Sequence, residues 1–121
     1  MIAYGTNEQG HREILGFAAY RNESKDTWQG FLKSLKKRGL KGVLMITSDA
    51  HEGIIHAIGA VFPTVPWQRC KFHFSRNNAD KTPKKFQTGI RAELQETFAC
   101  NTLKDARNKK NQIIQEYQDI A

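Results

Sequence analysis

The chain has 121 residues, 39% of them apolar, and a formal net charge of +7 from 19 Lys and Arg against 12 Asp and Glu. That length holds one domain at most and buries a core without staples, so two cysteines exclude a disulfide-stabilised secreted module. No apolar run approaches the roughly 20 residues of a membrane-spanning helix, and MIAYGTNEQG lacks the basic start and apolar middle of a signal peptide, so the expectation is a cytoplasmic protein with no membrane partner.

Met1 to Tyr4 and Arg12 to Tyr20 are apolar runs on either side of the polar cluster TNEQG, the pattern of a β-hairpin. The first run starts at once, which suggests the surviving part of a larger sheet. Ser24 is placed to cap a helix whose apolar positions Trp28, Phe31, Leu32 and Leu35 recur at helical spacing. Lys36, Lys37 and Arg38 suit the negative end of its dipole, and Gly39 supplies the stop. KGVLMITSD, Lys41 to Asp49, is a near-continuous apolar run, as expected of a strand covered on both faces. Strand, helix and strand together predict a crossover unit.

Ile54, Ile55, Ile58 and Phe62 then form a helical stripe that Pro63 ends, and Thr64 to Phe72 reads as a further strand shortened by Pro66. Beyond His73 the chain turns polar and basic, with helices predicted over Phe86 to Cys100 and Thr102 to Ile120. Thr102 with Asp105 resembles a capping box. The stripe Ile113, Ile114 and Tyr117 is thin and needs a partner.

The charge is uneven. Residues 1 to 66 carry eight basic and six acidic side chains, residues 67 to 121 eleven and six. Arg69, Lys71, Arg76, Lys81, Lys84 and Lys85 face a single acid, Asp80, a run that suits a polyanion through counterion release and suits a solvated helix face equally well.

Three groups of residues are candidates for chemistry. Asp49 ends a strand and precedes a helix, the position from which open α/β sheets present functional groups, and a carboxylate there can hold Mg²⁺; with Glu52 it can equally form a reciprocal helix cap. Cys70 and His73 form a CxxH pair with Cys100 as a possible third zinc ligand, although a structural zinc site normally closes with four; the plainer reading is a small buried Cys70 and a His73 hydrogen-bonded at a strand end. Trp67 beside Arg69 suits stacking on a base, or simply a core.

REILGF, WQGFLKSLKKRGLKGV, ITSDAHEGIIHAIGAVFP and WQRCKFHFSRN, in that order and spacing, resemble the transposases of Mutator-type bacterial insertion sequences. The resemblance implies an RNase H-like core whose Asp, Asp and Glu hold two divalent ions, Mg²⁺ or Mn²⁺, for DNA cleavage and strand transfer. Asp49 matches the second Asp, the catalytic and metal-binding carboxylate of this stretch, and Cys70 and His73 match a CxxH signature that helps shape the active site. The family's first Asp lies upstream of the run matching Met1 to Gly5 and its final Glu lies downstream of a helical insertion; neither has a match here, and Glu93, Glu96 and Glu116 stand in the wrong context for the latter.

The resulting expectation is an α/β chain. Residues 1–75 would be a partial RNase H-like core, a mixed sheet with flanking helices, and residues 76–121 a basic segment that starts an all-helical insertion. It is expected to be a transposase fragment, inactive alone, that binds DNA at transposon ends and target and is prone to self-association. The alternatives are a non-catalytic nucleic-acid-binding module using Arg69 to Lys85, and a CxxH zinc-binding interaction domain.

Overall fold

A computed structural model of the chain describes residues 1–119. Among them the order of elements is β1 (Ile2–Thr6), β2 (Arg12–Phe17), α1 (Lys25–Lys37), β3 (Ile46–Ser48), α2 (Glu52–Val61), β4 (Trp67–Arg69), α3 (Lys71–Asp80), a short 3₁₀ turn (Lys84–Phe86), α4 (Gln87–Ala99) and α5 (Leu103–Tyr117). The protein is therefore mixed α/β. Its packing divides into two units, Met1–Gln68 and the chain from Arg69 onward, with the boundary inside β4. The change of composition after residue 75 falls within the second unit, in α3.

In the first unit β1 and β2 form the expected antiparallel hairpin, closed at its open end by reciprocal bonds between Met1 and Ala18. The ladder slips between Ala3 and Tyr4, so that Gly16 faces Ala3 while Ile14 faces Tyr4 and Leu15 is the extra residue. That bulge changes the parity of β2. Ile14 and Phe17, three apart, therefore both stand exposed, beside their partners Tyr4 and Ile2.

Helix α1 starts where expected. The Ser24 hydroxyl accepts from the Thr27 N–H, and the Thr27 hydroxyl accepts from the Ser24 N–H at 2.8 Å, which satisfies two otherwise orphaned donors. Gly39, at φ +110°, ends it in a backbone conformation that side chains disfavour. Phe31, Leu32 and Leu35 on α1 meet Ala57, Ile58 and Val61 on α2 and Phe62 beyond it, and this is the core of the unit. The hairpin packs on it through Met1, Ala3, Leu15 and Ala18. The approach is close: a Cβ on Gly16 would stand 2.8 Å from a Leu35 methyl. Lys36 donates to the Val61 carbonyl and Arg38 to that of Leu15, so the cationic end of α1 fastens both neighbours.

Two sequence expectations need correction here. The run from Lys41 is irregular until Ile46, and only Ile46–Ser48 is strand; Leu44 is 87% exposed and Met45 also faces solvent. Val43 and Ile46 of this run pack against the core of the unit, while Leu44 and Met45 have no such cover, so the run is not buried on both sides. The crossover from β2 through α1 to β3 is not formed either: the described strands make two separate pairs, β1 with β2 and β3 with β4.

The second unit is helical. Ala79, Ile90, Leu94, Ile113 and Tyr117 form its core, with Phe74 and Phe86 packed against it. Lys71 and Phe72, read as the end of a strand, belong to α3. Thr102 accepts from the Asp105 N–H, half of the anticipated capping box. The predicted helix end at Ile120 lies outside the described residues. Of the thin stripe on α5, Ile113 and Tyr117 are buried and Ile114 is exposed. Among the described residues no helix is long and apolar enough to cross a membrane.

Candidate functional site

Asp49 stands in the first unit, immediately after β3. It is half-buried, and one carboxylate oxygen accepts from the Ala50 N–H at 2.8 Å. The reciprocal cap with Glu52 is not formed: His51 is the N-cap of α2 and its side chain makes no capping bond. A helix begun at His51 leaves Asp49 two residues outside it, too early to reach the first-turn donors. The carboxylate is thus not spent on the helix. No other hydrogen bond to it is formed among the described residues.

Two side chains position this loop, Ser48, which sequence reasoning passed over, and Trp67. The Trp67 indole N–H donates to the Ser48 hydroxyl at 2.8 Å, and that hydroxyl donates to the Asp49 carbonyl at 2.8 Å. Trp67 is packed against the core of the first unit, which assigns it to the fold rather than to stacking on a base. A Ser directly before the Asp was the available signal for the missed residue. On the other side, a Cβ at Gly53 would meet the Lys25 backbone N at 3.1 Å, so the start of α2 lies close against the start of α1.

The remaining sequence candidates stand in the second unit. Cys70 is the N-cap residue of α3, half-buried and a thiol, and His73 lies in the first turn of the helix. The expected hydrogen bond of His73 at a strand end is absent, since the residue is helical and its buried Nδ1 has no partner among the described residues. Cys100 donates to the Glu96 carbonyl at 3.3 Å. No group of three or more His, Cys, Asp or Glu that could hold a metal forms among the described residues, so the three-ligand zinc cluster is not assembled.

Among the cations, the Arg69 guanidinium lies over the Phe74 ring at 5.0 Å with a buried, unpaired Nε. Lys71 and Arg76 are exposed along α3, and Arg76 reaches Asp80 only at 4.0 Å across open solvent, a pair worth little. Lys81, Lys84 and Lys85 are exposed in the turn between α3 and α4.

Glu93, Glu96 and Glu116 do gather, around Lys109 between α4 and α5, with a 2.9 Å ion pair between Lys109 and Glu96. Burial first, then the hydrogen bond and charge of Glu116, hold the Glu93 carboxyl above its ordinary range; Lys109 opposes this. Two carboxylates have no donor between them, so a proton on Glu93 completes the contact. Its affinity for that proton is lower in the unfolded chain, whose Glu titrates near 4.5. The stabilisation is therefore full below that pH and is lost as pH rises through the raised folded value. Glu93→Gln keeps the donor and removes the charge. It should melt above the parent at pH 7 and together with it at pH 4, by thermal circular dichroism, with a gain below about 1 kcal/mol because solvent screens the pair.

The whole length of the chain carries a family's pattern. Residues 1–120 match the model of the transposases of the Mutator family. The chain is 42% identical over 118 residues, 98% of its length, to the transposase for insertion sequence element IS256 in transposon Tn4001 of Staphylococcus aureus, and covers 30% of that protein. It is likewise 42% identical over 98 residues to the transposase for IS1081 of Mycobacterium tuberculosis, covering 81% of itself and 24% of the relative. With the transposase for ISRM5 of Rhizobium meliloti it shares 41% over 107 residues, 88% of itself and 27% of the relative. The chain belongs to the Mutator family of transposases. It spans about a quarter to a third of the length of these relatives.

Proposed function

We propose that the chain is a middle portion of a transposase core, in which Asp49 supplies one of the carboxylates that hold catalytic Mg²⁺ or Mn²⁺ for DNA cleavage and strand transfer. In this reading residues 1–75 belong to an RNase H-like core, residues 76–121 begin a helical insertion, and Cys70 and His73 shape the site. The substrate is DNA, at the ends of an insertion sequence and at its target, in the cytoplasm.

The observation that carries the reading is the state of Asp49. It sits at a strand end, its backbone pinned through Ser48 and Trp67, and its carboxylate caps no helix. A carboxylate so placed is left free to meet a cation. One carboxylate does not fit a two-metal centre, however, and none joins it in a metal-holding group among the described residues. The chain by itself is therefore proposed to bind DNA without cutting or joining it. The exposed apolar face of the hairpin, Ile2, Tyr4, Ile14 and Phe17, is the surface on which copies would associate.

A purely DNA-binding role is the second reading, favoured by the exposed cations from Lys71 to Lys85. The DNA-binding surface common to both is tested by neutralising Lys81, Lys84 and Lys85 to Gln. Affinity for duplex DNA should fall, and the logarithmic dependence on salt should flatten by about 0.9 for each phosphate that is no longer neutralised. Unchanged affinity and slope in titrations by fluorescence anisotropy would remove these lysines from the interface.

A further inference from the structure

Helices α3 and α4 enclose an open groove of about 750 Å³ in the second unit, lined among others by Lys71, Phe72, Arg76, Arg91, Gln95 and Phe98. Three of these are cations and none of its lining residues is acidic. Phe72 is 67% exposed and Phe98 41% exposed, large values for phenylalanine, and both border the same cavity as the cations. Water is a poor neighbour for two aromatic faces and phosphate a good one for three cations. A polymer that alternates flat apolar rings with phosphates at short intervals satisfies both.

We propose that this groove binds unpaired DNA, with bases stacked on Phe72 and Phe98 and the backbone held by Lys71, Arg76 and Arg91. Duplex DNA hides its base faces in its own stack and can use only the cations, whereas a single strand can use all five side chains. The proposal rests on the DNA-binding reading and narrows it to a substrate class: strands opened or frayed rather than intact duplex.

The test uses the full chain with a labelled oligothymidylate and a labelled duplex of the same length, by fluorescence anisotropy. Phe72→Ala, at an exposed position, should weaken single-strand binding roughly tenfold, the loss of one stacked base, and leave duplex binding unchanged. Phe72→Trp should keep the parental affinity and lose indole fluorescence when the single strand is added, above the background of Trp28 and Trp67. Arg91→Gln should weaken both substrates. If the parent binds duplex but Phe72→Ala binds the single strand as well as the parent does, the groove assignment fails and the DNA-binding reading stands. If the parent binds neither substrate, both fail. Tighter binding to an RNA strand than to the DNA strand, with the same dependence on Phe72, would overturn the choice of DNA.

Discussion

Asp49→Asn should abolish transposition by a chimaera in which this chain replaces its matching 118 residues in the Staphylococcus aureus IS256 transposase. Asparagine keeps the volume and the amide-accepting oxygen that meets the Ala50 N–H, and so keeps the loop. It removes the charge that a divalent ion requires. Disturbing only the partner of a metal ligand typically costs ten- to a hundredfold, so losing the ligand itself should cost more than about a hundredfold. Transposition of a marked element, scored with an active chimaera as parent, reads the effect; DNA affinity and the circular dichroism spectrum should stay at the parental level. A chimaera that transposes equally well with Asn at 49 would refute the metal-ligand role. The bare chain should leave supercoiled DNA uncut in Mg²⁺, and cutting by it would show that Asp49 needs no further carboxylates.

Phe31→Ala should destabilise the protein most among single core changes. Phe31 is 3% exposed between α1 and α2, and its loss leaves a cavity that two short helices and a hairpin cannot close. The expected cost is about 3–5 kcal/mol, which is of the order of the whole stability of a domain this small. Leu44→Ala is the control: a truncation at 87% exposure should cost less than about 0.5 kcal/mol. Urea midpoints of the two variants, compared with the parent, give both numbers, and similar midpoints would mean that α1 and α2 do not form the core.

How much of this was legible in the sequence varies by element. Ser24, the spacing of Phe31, Leu32 and Leu35, and Gly39 give α1 within a residue, because caps and stripes are local signals. The hairpin was visible as two runs around a turn, but its faces were not, since the bulge at Leu15 breaks the alternation that would have separated inside from outside. Lys41 to Met45 misleads because an apolar run reports composition and not the presence of neighbours. Lys71 to His73 misleads differently: α3 buries only Ala79, so it has almost no stripe to show. At the site, Asp49 was marked by its position at a strand end, whereas the choice between capping and another use depended on where α2 begins, two residues away. Ser48 and Trp67 were invisible as a pair because the bond joining them spans 19 residues.

The second unit joins α3 to α4 and α4 to α5, each to its neighbour along the chain. Contacts so near in sequence close quickly, on the order of microseconds to milliseconds for helical units. During synthesis the ribosome releases only about 5–20 residues each second. This stretch therefore has time to collapse as soon as it clears the ribosome, and nascent-chain proteolysis should find it protected once Tyr117 has left the tunnel.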